Sequence, residues 1–581
     1  MVTKLNFGNI SLNWKGEYSQ TRQYSKDDIV LFKQSAYIAT AASIGVSPVQ
    51  ENSPWQLFLR GLDVLQERGD IAMIGENGLE RLPIGKENET LRSFNGRLVW
   101  ENIDLSGSGI PFIGNLPQSF FVLPDPAKKV WKLPIVDHGS DAFRTFLMAD
   151  GSIKAVGFGG AFRNGDPNGS NIFLPNRVNT NFQDIKFIEI FSGTNYSYGL
   201  TQGGDVYSWG FNNNGQLGHG NTSNLAIATR IEYFVTNGIK ISKIFNNRWS
   251  SGDIYNSYFL STNGILYAVG NNAWGQLGDS TTTQRLTPVR VGILENIVDV
   301  FPSANPISVY AIDSNGDLWV WGANNVGQLG LGDITQRNIP VKVDALSDVK
   351  KAIGGATNIT NGSFQAFSLV LLQNGDVFSS GANGWGQLGL GNSTNMNSYT
   401  KIPTLENIEE IAVSQSYHAA AAAISRGRIY LWGSSENGRL GKSVTSFITT
   451  PELQGGVLSG DVRKVQFGGY SSVTSANSGR TNVYNSTFVQ VGNKIYAAGY
   501  SVNGNLGVGN IVAINSTFQE VIGISGQIKD WVVSGIFNRH ALSVLYEDGR
   551  VDTNGNNTSG QTGTQSTVLH TISTLKNVIF L

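Results

Sequence analysis

Residues 204–218 read GDVYSWGFNNNGQLG. A short strand that alternates apolar and polar side chains closes on Gly210, and a polar turn follows that ends on Gly-Gln-Leu-Gly. The same grammar returns as GILYAVGNNAWGQLG at 264–278, GDLWVWGANNVGQLG at 316–330 and GDVFSSGANGWGQLG at 375–389. Looser copies stand at 427–441, 493–507 and 549–563, and a tailless one, GSIKAVGF, at 151–158. The glycines closing the aromatic strands are Gly157, Gly210, Gly270, Gly322, Gly381, Gly433, Gly499 and Gly555, spaced roughly 52 to 66 residues apart. Period-two alternation punctuated by glycine, at that spacing, predicts one four-stranded antiparallel blade per repeat rather than a helical solenoid. The glycines supply the positive φ that tight turns require. The expected fold is all-β, a β-propeller over 136–581, with Val206, Trp209 and Leu217 packed between blades.

These copies resemble the repeat family named after the regulator of chromosome condensation, over about three quarters of the chain. That resemblance implies a propeller, usually of seven blades, whereas eight aromatic strands can be counted here, so a seven- or eight-bladed β-propeller is expected. The terminal TLKNVIFL, 574–581, resembles the apolar strand opening other repeats, as in TLENIEEI and ILENIVDV. It is expected to return to the first blade and close the ring, which would remove open sheet edges. The exchange-factor activity of the best-known family member is not carried over, because no basic tail or nuclear targeting run is visible and a fold alone does not carry function.

Composition narrows the rest. With 42 Lys and Arg against 43 Asp and Glu, the net charge of −1 gives no electrostatic case for nucleic acid or anionic lipid. The absence of cysteine excludes disulfides and thiol chemistry. No secretion signal and no apolar run long enough to span a membrane are read, so a soluble protein is expected. The five histidines show no metal-ligand spacing, and no metal, cofactor or catalytic residue is expected. Arg68-Gly69-Asp70 is set aside as a chance adhesion tripeptide. Gly441-Lys442-Ser443 is likewise no phosphate loop, because Glu436 stands where that motif requires glycine.

The first 135 residues follow a different grammar. Residues 1–60 resemble a small chitin-binding carbohydrate module, with Trp14, Tyr18 and Trp55 as the aromatics that would stack on sugar rings or fill a small core. Residues 61–105, with RGDIAMIG and RLPIG, resemble a bacteriophage tail-fibre motif, which implies a homotrimer; 106–135 reads as a linker.

The longest repeats gain their extra residues at one point, between the opening strand and the next apolar strand: 246–258, 354–364 and 468–487. Equivalent loops of a ring emerge on one face, so that face is expected to bind. The candidate contact residues are Trp249, Tyr255, Asn358, Tyr470, Arg480 and Tyr484, with Tyr196, Tyr417 and Asn538 on shorter loops. Taken with the N-terminal resemblances, the chain reads as a virion protein, a tail-fibre or receptor-binding subunit. Its expected partners are other tail proteins and a host-surface glycan or protein. Alternatives are a propeller that binds other viral proteins, or a polysaccharide-trimming enzyme.

Overall fold

The computed structural model divides the chain into two compact units, Met1–Pro126 and Ala127–Leu581. In the first unit it describes only the backbone of the strands. In the second it describes residues 130–133, 143–157, 168 and 172–578, apart from loop residues at 179–184, 194, 247–254, 304–307, 361–362, 415–418, 443–446, 469–470, 473–481, 484, 502–503, 510–513, 535–540 and 556–571.

The first unit holds a five-stranded sheet in the order Lys4–Phe7, Ile10–Glu17, Asp28–Phe32, Ser35–Ala39 and Trp55–Leu59. Ile10–Glu17 and Asp28–Phe32 pair in parallel. Trp14 and Trp55 lie on strands of this sheet, and Tyr18 lies outside the described residues.

The second unit contains, among the described residues, eight four-stranded sheets over 130–177, 187–230, 241–290, 297–342, 349–401, 410–453, 462–520 and 528–577. Each is antiparallel, with its strands paired in chain order. The second and third strands, such as Tyr196–Thr201 and Val206–Gly210, are buried on both faces nearly throughout. That pattern arises when a sheet is packed between two others.

The cores lie accordingly between blades. Tyr198, Leu200 and Val206 of the second blade meet Ile244, Phe259 and Val269 of the third, and comparable clusters fill the following seams. Val532, Leu545 and Val551 of the last blade meet Phe146, Met148 and Val156 of the first. A backbone bond repeats from seam to seam: Phe187 N–H donates to Gly151 O, Ile241 to Gly204 O and Ile297 to Gly264 O. Val130 N–H donates to Gly549 O at 3.0 Å in the same manner, joining the last blade to the first. The ring is closed, with eight blades.

Closure corrects one expectation. Ile572–Asn577 pairs with Val551–Gly555 inside the last blade and does not complete the first. The first blade already has its opening strand, Val130–Lys132, paired with Phe143–Met148. Side-chain packing and the Val130–Gly549 backbone bond close the ring, and strand exchange does not.

The first strands of successive blades lie against one another, which places them nearest the axis, while the fourth strands form the outer edges. Helix is confined, among the described residues, to Glu232–Thr236 and short 3-10 turns.

Candidate binding face

In a blade whose strands alternate direction, the connections from first to second and from third to fourth strand leave at one end. The tight turns from second to third strand leave at the other, with the links between blades. The first of these ends is stitched together. The carbonyl of Asn195, between the first two strands of blade two, accepts from Phe211 N–H at 2.9 Å. Its side-chain amide donates to Tyr255 Oη at 2.9 Å, and Tyr255 N–H donates to Asn214 Oδ1 at 3.0 Å.

The loop from third to fourth strand is stiff because one asparagine completes its backbone bonding. Asn212 Oδ1 accepts from Leu217 N–H at 2.9 Å, and its Nδ2 donates to the carbonyls of Asn221 and Ser223, both at 3.0 Å. Gln216 Nε2 donates to Phe211 O at 2.7 Å. Asn272, Asn324 and Asn383 accept in the same way from Leu277, Leu329 and Leu388. Side-chain bonds of this kind satisfy a loop that has no ladder partner.

The residue before each Gly-Gln-Leu-Gly therefore sits on a rigid tip. In blades two to five it is Asn214, Trp274, Val326 and Trp385, each half-buried. Trp385 meets Phe447 of blade six edge to face, with ring centroids 6.2 Å apart, and Phe447 is 39% exposed. Trp274, Val326, Trp385 and Phe447 thus form an apolar row in blade order, one residue per blade, at the end that carries the long insertions, with Trp385 and Phe447 in contact. It was missed from the sequence because these residues fall inside the repeat motif; aligning the copies shows the variation N, W, V, W at one position.

All three insertions leave at this end. Residues 246–258 span the connection between Ile241–Asn246 and Asn256–Ser261. Residues 354–364 extend a hairpin of Val349–Thr360 and Ser363–Leu372, whose pairing continues to Thr360 opposite Ser363. Residues 468–487 carry a further pair, Ser471–Ser472 with Asn482–Val483.

Of the candidate contact residues, Trp249, Tyr470, Arg480 and Tyr484 lie outside the described residues, as do Tyr417 and Asn538. Asn358 lies on the backbone of the long hairpin. Tyr255 is buried, packed edge to face against Tyr196 and Phe211, and it ties two loops together from within. Tyr196 is also buried and donates to Asn256 O at 3.2 Å; burial raises its phenol well above the ordinary range. His219 hydrogen-bonds Ser208 Oγ at 2.8 Å, and burial lowers its imidazole to about 4. Among the described residues no group of three or more His, Cys, Asp or Glu could hold a metal ion.

Family models described as "Regulator of chromosome condensation (RCC1) repeat" match residues 187–216, 203–245, 263–304, 315–359 and 374–421. The human E3 ubiquitin-protein ligase HERC2 is 26% identical over 360 residues, covering 61% of this chain and 7% of the ligase. The Ultraviolet-B receptor UVR8 of Arabidopsis thaliana is 27% identical over 305 residues, covering 52% of this chain and 65% of the receptor. RUG3 of the same plant, a mitochondrial protein containing these repeats, is 27% identical over 321 residues, 53% of this chain and 67% of that one. The chain thus spans a small part of the ligase and under two thirds of the receptor.

These relatives are eukaryotic cellular proteins, and they overturn the expected bacteriophage tail-fibre or receptor-binding subunit. The expected virion location, the tail-protein and host-surface partners and the homotrimer are corrected with it. That reading rested on short stretches before residue 106, whereas the family matches lie in the propeller, between 187 and 421. Within the propeller, the blades over residues 187–421 match regulator of chromosome condensation repeats.

Proposed function

We propose that the propeller is a binding platform for another protein, engaged through the end that carries the first-to-second and third-to-fourth strand connections. One observation carries this reading: the length variation of the repeats and the apolar row Trp274, Val326, Trp385 and Phe447 fall at the same end of the ring. Rigid tips that present aromatic side chains lose little conformational entropy on binding, and tryptophan is enriched where binding energy concentrates. The long hairpin 349–372 leaves at that same end, as do the connections that vary in length between repeats. Relatives whose names are those of a receptor and a ubiquitin ligase support a regulatory binding role. The platform works by binding and leaves covalent chemistry to its partner or to other domains.

The test is affinity capture with the full chain. Wild type and an Ile293→Ser control at the opposite end should retain the same partner. Trp274→Ala with Trp385→Ala should weaken its retention more than tenfold, the order expected for loss of buried aromatic anchors. Equal retention by all three would refute the reading.

A further inference from the structure

The first strand of nearly every blade carries the same bulge, two residues after its opening apolar residue. It falls at Val130/Lys132, Phe187/Glu189, Ile241/Lys243, Ile297/Asp299, Val349/Lys351, Val462/Lys464 and Ile528/Asp530. In blade six, Glu410 pairs opposite Ile424 as Asp299 does opposite Ile312, and takes the equivalent place. Around the ring these positions read Lys132, Glu189, Lys243, Asp299, Lys351, Glu410, Lys464 and Asp530. The sign alternates at every step.

The charges meet across seams. Lys132 pairs with Glu189 and Lys351 with Glu410, while Lys464 Nζ lies 2.7 Å from Asp530 and Lys243 Nζ 3.9 Å from Asp299. Three of the lysines also donate to a backbone carbonyl of the next first strand: Lys243 to Val298 O at 3.0 Å, Lys351 to Ile411 O at 3.2 Å and Lys464 to Trp531 O. Asp299 feels a lysine on either side: burial pushes its carboxyl up, and Lys243 and Lys351 pull it down.

We propose that this row is a closure device, which fixes the ring at an even number of blades and fixes their order. One exposed ion pair contributes little. A closed row differs, because each charge has opposite neighbours on both sides and any misplacement sets like charges together. A ring with an odd number of blades would put two like charges side by side at one seam. A blade skipped or swapped during closure would do the same, and like charges facing each other across strands are destabilising. Hydrophobic seams built from similar Val, Ile, Leu and Ala residues cannot discriminate in this way, since they accept one another readily. The row supplies order where packing supplies cohesion.

The experiment separates a ring from four independent pairs. Lys351→Glu, Glu410→Lys, the double swap of both, and the inversion of all eight charges are compared with wild type by thermal unfolding at low and at high salt. Each single reversal should lower the midpoint by about 2 °C or more at low salt, with the loss shrinking at high salt as screening grows. The double swap restores the 351–410 pair but sets an acid beside Asp299 and a lysine beside Lys464. It should therefore keep most of the loss, while the eightfold inversion should recover it. If a reversal prevents folding, Lys351→Met in the full chain provides the milder reading, with a smaller loss that is again reduced by salt. A double swap that unfolds with wild type, an inversion that fails to recover, or midpoints unmoved at either salt concentration would overturn the proposal.

Discussion

The indole Nε1–H of Trp321 donates to the backbone carbonyl of Gln276 at 2.8 Å, across the seam between blades three and four. The same carbonyl accepts from Tyr258 Oη at 2.7 Å, within its own blade. Trp432 repeats the cross-seam bond to Gln387 O at 2.9 Å two blades on. The glutamine of Gly-Gln-Leu-Gly thus presents its main chain as a joint between neighbours. Trp321→Phe keeps most of the apolar contact and removes the bond, and should cost about 1–2 kcal/mol, seen as a lower unfolding midpoint. An unchanged midpoint would mean that the joint contributes cohesion through shape alone.

Glycine at the tip of the third-to-fourth loop is required for two reasons at once. Gly386 has φ +70°, and a Cβ there would stand 2.8 Å from Thr449 Cα in the next blade. Gly386→Ala should therefore destabilise by about 1–3 kcal/mol. Gly384, two residues earlier, has nothing within 4 Å of its Cβ position, and Gly384→Ala should be near neutral. Thermal midpoints of the two variants check the contrast.

His219 makes stability depend on pH. Its imidazole falls from 6.5 to about 4 because burial disfavours the charged form. The unfolded chain takes up this proton below about pH 6.5, while the native state resists it until about 4. The contribution is complete above the unfolded value and is lost as pH falls through this window, by at most roughly 3 kcal/mol. Leucine occupies the equivalent positions Leu331 and Leu390, so His219→Leu should fold and show a shallower decline of midpoint between pH 7 and pH 4. A decline as steep as that of wild type would place the pH sensitivity elsewhere.

Removing residues 528–581 should abolish the closed ring. Trp531, Leu542 and Val544 fill the seam with blade seven, and Val532, Leu545 and Val551 fill the seam with blade one. Both cores would be bared together, so the shortened chain should aggregate or become rapidly cleaved in limited proteolysis. A monodisperse, protease-resistant product would contradict closure by packing.

Much of the architecture was legible in the sequence because the repeat states it several times. Gly210, Gly270, Gly322 and Gly381 each close a buried third strand as the spacing implied. The blade count was not legible, because the first opening strand is only Val130–Lys132 and its repeat lacks the Gly-Gln-Leu-Gly tail. TLKN resembled an opening strand because its apolar spacing is shared, yet Leu575 packs within the seam of the last two blades. Tyr255 looked like a loop contact since it adjoins an insertion, but its ring turns inward toward Tyr196 and Phe211. The charge row was hidden for a different reason: its period is two repeats, and it emerges only when the first strands are aligned on their shared bulge.

Recognition is expected at the end of the ring that carries the apolar row and the long hairpin. Hydroxyl-radical footprinting of the full chain, free and with its captured partner, tests this most directly. Trp274, Trp385, Phe447 and the 349–372 hairpin should be protected on binding. Protection confined to the opposite end, at Ile293, Val457 and Ile522, would contradict it.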